Sequence, residues 1–455
     1  MKCIEDEIPF ELPEGWEWCR VRDIAAVKGG KRLPKGVGFS PCRTAHAYIR
    51  VTDMKNHCIN TDDLKYISEE VFLQIKNYTI SKDDLYVTIA GTIGVTGEVP
   101  TELDGMNLTE NAVKITNIQI NKNYLCLIIQ SEFVQQQFQD KTHQVAMPKL
   151  ALERILSTLI PVCTITTQSA MVSKFVEMDS LINQIREEKE ILAETVSLTK
   201  SKILDLAIRG KLVPQNPDDE PASVLLERIR AEKEELIKAG KIKRDKKESI
   251  IFKGEDNSYY EKVGAEIRCI DSEIPFEIPD GWMYERLGNI CSIARGGSPR
   301  PIENYLTDDE NGLNWIKIGD TEQGGKYIYS TKEKIRPEGL SKTRYVCSGD
   351  FLLTNSMSFG RPYILRTNGC IHDGWLVIGG IEIAFHQDYL YYMLSSSIMY
   401  NALSSLAVGS TVKNLKSDSV KSLLVPIPPL AEQACISRQI ENYFATMLPI
   451  ERSLS

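Results

Sequence analysis

The sequence predicts an α+β fold of two homologous domains separated by long helices, and three observations predict it. The stretch "EIPFELPEGW" at 7–16 returns as "EIPFEIPDGW" at 273–282, 266 residues further on. After each copy come short β-branched runs of period two, bounded by Gly, Asn or Asp. Each half then ends on a segment whose apolar residues step by three and four, the pattern of a helix that packs along a partner.

The repeat holds far beyond its first ten residues, and missing it would mis-assign the whole fold. Gly15 and Trp16 map to Gly281 and Trp282. "AYIRVTDMK" at 47–55 faces "NWIKIGDTE" at 314–322, and "DDLYVTIAGTIG" at 83–94 lies opposite "GDFLLTNSMSFG" at 349–360. "LSTLIPVCTITTQ" matches "VKSLLVPIPPLAEQ" through Pro161 with Pro426 and Gln168 with Gln433. Between these anchors "GGKRLPKGVGFSPCRTAH" and "RGGSPRPIENYLTDDENG" are unlike, as loops on one frame that bind different targets would be.

Within each half "AYIRV", "LYVTIA", "NAVKIT", "FLLTN" and "WLVIGGIEI" read as strands of a curled antiparallel or mixed sheet. "NYLCLIIQSEFVQQQFQ" and "DYLYYMLSSSIMYNALSS" read as one helix in each half. Trp16 and Trp282 are expected to anchor the two cores.

After Pro161 the period changes. Gln168, Met171, Phe175, Met178, Ile182, Ile185, Lys189, Leu192, Val196, Thr199, Ile203 and Leu206 form a heptad seam, about 58 Å long at ~1.5 Å per residue. Gln433, Ile436, Ile440, Tyr443, Met447, Ile450 and Leu454 repeat it, and Pro449 is expected to cut this second helix short. Asp218, Pro221 and Ser223 announce a further charged amphipathic helix that ends at Gly240, and the basic run "KIKRDKKES" follows. The expected organisation is a first domain at 1–165, a central helix at 166–212, a connector at 213–264, a second domain at 265–430 and a distal helix at 431–455.

The bulk numbers bound the function. The 455 residues imply two to four domains, and 42% hydrophobic with 25% charged residues is ordinary globular composition. A net charge of −8 argues against a simple nucleic-acid coat but leaves room for local basic loops. The opening lacks a secretory core, no run approaches a membrane span, and eleven scattered cysteines without a C-x-x-C pair suggest reduced thiols in a cytoplasmic protein. No Asn/Asp-Pro-Pro-aromatic loop of an amino-methyltransferase is found, since "VPIPPL" lacks both flanking residues. Asp83-Asp84 and Asp308-Asp309-Glu310 lack the Glu-x-Lys partner of a nuclease site, and His143, His372 and His386 have no nucleophile nearby. No catalytic residue and no metal ligand is expected. A DNA methyltransferase or nuclease acting by itself is the rival class, and a protein scaffold without DNA contact is a third.

The two openings, the segment "VPIPPLAEQ" and the tract "LDLAIRGKLVPQNPDDEPASVLLERI" together resemble the specificity (S) subunit of type I restriction-modification systems, over essentially the whole chain. The resemblance implies two target-recognition domains separated by long conserved α-helices that form an antiparallel coiled-coil spacer. Each domain would read half of a bipartite site in double-stranded DNA. The helices would fix the gap and dock two methyltransferase (M) subunits, with restriction (R) subunits joining to cleave. It implies no cofactor on this chain, with S-adenosylmethionine, ATP and Mg on the partner subunits.

Candidate DNA contacts follow from the diverged loops. Lys28, Lys31, Arg32, Lys35 and Arg43 cluster in a Gly-Pro-rich loop able to approach phosphates or guanine edges, and Thr88 and Thr92 flank the next Gly-rich turn. The matching residues of the second half are Arg295, Arg300, Asn355, Ser356, Ser358 and Arg361. Lys149, Lys413, Asn414 and Lys416 lie just before the helices, where phosphate contacts could set orientation.

Overall fold

The computed structural model describes residues 7–140, 149–242, 248–322, 324–356, 359–407 and 414–454. It divides into two compact units, Met1–Glu187 and Glu188–Ser455. The helix Ile165–Ile208 is continuous through the division.

In the first unit, strand Glu17–Arg20 pairs antiparallel with Leu159–Val162, so the two ends of the domain close on each other. One four-stranded antiparallel sheet runs in the order Ala26–Gly29, Ala112–Thr116, Leu85–Thr88, Thr96–Glu98. A second runs Lys65–Ile67, His46–Ile49, Met106–Leu108, Thr79–Ile80 and holds a parallel pair at its centre. Period two explains the layering. Leu85 and Val87 pack against Leu125, Ile129 and Phe138 of the helices, while Tyr86 between them packs with Ala47, Ile49 and Leu108 of the other sheet. Both faces of this strand are buried, which is why its alternation reads apolar throughout.

The second unit repeats the plan. Met283–Arg286 pairs with Leu424–Ile427, and two mixed five-stranded sheets replace the four-stranded ones. Of their extra strands, Leu306–Thr307 lies where the first half has only the single bridge of Ser40 with Tyr66, and Tyr327–Ile328, which pairs with Pro362–Leu365, lies where the first half has the short strand Cys58–Ile59.

The shared opening motif has a structural use in both copies. Glu7 pairs with Arg20 at 2.7 Å and Glu273 pairs with Arg286 at 2.6 Å. The arginines also donate to the Ser157 and Ser422 carbonyls. Gln168 and Gln433, both buried, lock the helix starts to their domains. Each accepts a backbone N–H, from Asn121 at 2.9 Å and His386 at 2.8 Å.

Several expectations need correction. Each half carries two short helices, Lys122–Gln130 with Glu132–Asp140, and Gln387–Ser395 with Ser397–Leu406. The breaks fall at Ser131 and Ser396, whose hydroxyls donate to the preceding turn and accept from the next, at Val134 N and Met399 N. Trp282 is buried, donating from Nε1 to Glu432 at 2.8 Å and packing on Gly210. Trp16 is only half-buried, Thr167 stands at the position that Glu432 holds in the other copy, and the neighbouring Trp18 packs with Phe10 and Phe133. Pro449 lies inside a distal helix that runs Leu430–Leu454, so it does not end it. Residues 249–269 form a three-stranded meander that crosses the expected boundary at 264, and Ile251 packs with Tyr284 and Leu424 of the second domain.

Beyond Gln168 at its start, the seam is buried only toward its far end. Val196 and Ile203 are buried in the second unit, and Ile203 lies with its neighbours Leu204, Ala207 and Ile208 in a cluster that includes Ile436 and Ile440. Lys200 bonds both oxygens of Glu451 at 2.6 Å and lies over Phe444. Gly210 and Glu432 meet at Trp282, so the two helices run in opposite directions here. From Met171 to Leu192 the seam residues Phe175, Met178, Ile182 and Ile185 are exposed.

Candidate nucleic-acid interface

Each domain gathers three loops at one junction, and the backbone hydrogen bonds that do so are the same twice. In the first, Gly30 N donates to Ala112 O, Ile89 N to Asn111 O, and Leu150 N to Ile89 O. In the second, Gly296 N donates to Trp375 O, Asn355 N to Gly374 O, and Leu415 N to Asn355 O. Gly30 and Gly296 are required at these crossings. A Cβ would stand 2.0 Å from the Thr109 carbonyl oxygen in one and 2.2 Å from that of His372 in the other.

The basic residues lie around a carboxylate that the sequence reading missed. Arg32, 80% exposed, donates from Nε to Glu110 at 2.7 Å, and Lys149 Nζ donates to the Glu110 carbonyl at 3.2 Å. In the second domain Asp373 holds the same place. Arg300 reaches its carboxylate at 3.3 Å, Ser298 donates to it at 2.8 Å, and Arg295 and Asn355 donate to its carbonyl at 2.9 and 2.8 Å. Burial pushes both carboxyls up. The Arg32 and Thr109 donors for Glu110, and Ser298, His372 and the arginines for Asp373, outweigh it and hold both below the usual carboxylate range. The only clue in sequence was an acidic residue two positions before a strand in each copy, "TENAVK" and "HDGWLV", which also fits an ordinary turn.

Other candidates fall in different places. Lys31 is exposed, its Nζ 5.4 Å from the Tyr78 ring centre, and Arg43 lies over Tyr66. Lys28, Lys35, Thr92, Asn414 and Lys416 are exposed, and Ser356 is half-buried. Thr88 is not on the surface. Its fully buried hydroxyl donates to the Thr92 carbonyl and accepts from Val95 N at 3.0 Å, closing the loop, as Thr354 does with Arg361 N. Asn355 is also buried. Its amide positions Asp373, and its Oδ1 has no partner among the described residues. Arg361 is exposed but lines a cavity of about 750 Å³ with Tyr391, Tyr400 and Ser201. Ser358 and Lys413 lie outside the described residues.

Two residues near the second junction were also missed. Arg344 Nε donates to the Arg295 carbonyl at 3.2 Å, and Lys342 donates to the Tyr305 hydroxyl at 2.6 Å. A second cavity, about 840 Å³, opens beside Arg300 and is lined by Lys317, Trp315 and His372. Among the described residues, no group of three or more His, Cys, Asp or Glu could hold a metal ion, and no helix is long and apolar enough to cross a membrane.

Two copies of one domain, each built around the same hydrogen-bonded loop junction and each ending on a long helix, define a duplicated two-domain protein. The chain belongs to the type I restriction modification DNA specificity domain family, whose model matches residues 13–194 and 279–454. It is 24% identical over 514 residues to the type I restriction enzyme EcoEI specificity subunit of Escherichia coli, covering 98% of this chain and 80% of that one. It is 28% identical over 351 residues to the EcoAI specificity subunit of the same species, covering 64% of this chain and 54% of that one. The fold matches the HsdS subunit from Thermoanaerobacter tengcongensis with a TM-score of 0.53 at 17% identity, over 99% of this chain and 94% of that one. It also matches a chain from a study of complex assembly and conformational transition in a type I R-M system, with a TM-score of 0.60 at 16% identity, over 98% and 94%. The relatives are named as specificity subunits, and this chain is a specificity subunit, not the catalytic component.

Proposed function

We propose that this chain reads a bipartite site in double-stranded DNA, one half-site by each loop junction, and directs two methyltransferase subunits and the restriction subunits to it. The duplicated junction carries the reading: the same frame, hydrogen-bonded in the same way, presents different side chains in its two copies. Lys28, Lys31, Arg32, Lys35, Arg43 and Lys149 would serve the first half-site; Arg295, Arg300, Lys342, Arg344, Asn414 and Lys416 would serve the second. S-adenosylmethionine, ATP and Mg belong to the partner subunits. The exposed stretch of the central helix offers those partners an apolar face. Methylated-site mapping in a host carrying the chain with its methyltransferase partner should return one asymmetric sequence in two parts. Methyl transfer by the purified chain alone, or methylation without sequence preference, would overturn the reading.

A further inference from the structure

A carboxylate sits at the centre of each basic junction, where a surface meant only for phosphates would gain nothing from one. Glu110 and Asp373 are each gripped by an arginine and a neighbouring hydroxyl, Thr109 at 3.1 Å for one and Ser298 at 2.8 Å for the other. The loops around them share little sequence, yet this unit of carboxylate, hydroxyl and arginine recurs. Resting on the reading that the junctions face DNA, we propose that Glu110 with Arg32, and Asp373 with Arg300, each read one C·G base pair in the major groove.

The chemistry selects the base. An ionised carboxylate only accepts hydrogen bonds, and the major-groove edges that donate are cytosine N4 and adenine N6. Adenine sets its N7 acceptor beside N6, which repels the second carboxylate oxygen; cytosine has no acceptor there. Both carboxyls are held in the ionised form by their donors, so neither can offer a proton to N7. The guanine paired with that cytosine presents O6 and N7, the acceptors an arginine fits best. Arg32 meets Glu110 through Nε, which leaves its terminal nitrogens for that guanine. A carboxylate also has about four lone-pair positions, and the arginine and hydroxyls leave room for the cytosine amino group. Arg300 meets Asp373 at 3.3 Å beside an open cavity, so the second unit has space for a base edge as well.

The test uses the full chain co-purified with its methyltransferase subunit and a random-sequence duplex pool, sequenced after selection. Glu110→Gln keeps the side-chain shape and adds an amide donor, the pattern that suits adenine. It should move one position of one half-site from cytosine to adenine, by about tenfold in preference, and leave the other half-site as it was. Asp373→Asn should do the same in the other half-site only. Glu110→Asp keeps the acceptor and should hold the cytosine with weaker selection, and thermal melting shows which variants fold. If the wild type selects a two-part sequence and the folded variants select the same bases, the carboxylates only brace their arginines and this proposal falls alone. If the wild type selects no sequence, the DNA-reading assignment falls first and this one with it.

Discussion

Arg32 and Arg300 occupy corresponding corners of their domains, so their truncation should have parallel effects on different half-sites. Arg32→Ala should cost about 1–3 kcal/mol of binding and relax one position of the first half-site, as a base-edge contact would. Lys31→Ala, whose ammonium faces Tyr78, should weaken all sequences alike and flatten the salt dependence. Arg300→Ala is the matching change in the second half, since Arg361 lines a separate cavity. Duplex binding across a panel of single-base variants checks all three; equal loss on every sequence for both arginines would reduce them to phosphate contacts. The basic side chains were legible because charge in a Gly-Pro-rich loop has few uses other than binding. Glu110 and Asp373 were not, since an acid before a strand also suits a turn. Thr88 and Asn355 were misplaced because a sequence does not say which way a loop residue faces.

At the scale of elements, strand runs and the central helix were legible from their periods, while helix breaks and the meander were not. Ser131 and Ser396 look like tolerated helix-interior serines, but each caps a new helix once the chain turns. Ser396→Ala should therefore lower stability by about 1 kcal/mol, with Met399 N losing its acceptor, and denaturant unfolding would show it. The meander is tied down by charge. Arg286 donates to both oxygens of Glu261 at 2.9 Å, and this contact first, with Arg268 adding, holds the Glu261 carboxyl at about 2 against an ordinary 4.5. A carboxyl lowered in the folded state adds stability that is complete above pH 4.5 and drains away as pH falls toward about 2. Glu261→Gln should flatten that acid limb of the stability curve. An unchanged slope over this window would mean that other carboxylates carry it.

For the whole molecule, the helix Ile165–Ile208 poses the question of what sets the gap between half-sites. If it acts as a ruler, its length should fix the separation and not the bases read. One heptad inserted between Leu192 and Val196 falls where the seam passes from exposed to buried, so the packing of Val196 and Ile203 below it is left intact. Seven residues add about 10.5 Å at ~1.5 Å per residue, near three base pairs at ~3.4 Å each. They turn the helix by only about 20° from its original facing, because ~3.6 residues per turn nearly divides seven. Three base pairs turn the duplex by roughly 100°, at about 10.5 per turn. The two rotations disagree, so the insertion should weaken binding while the half-site sequences stay as they were. Methylated-site mapping of the insertion variant should then return the same two half-sites with a wider gap. Altered half-sites at the original spacing would refute the ruler and assign the gap to the docked partner subunits instead.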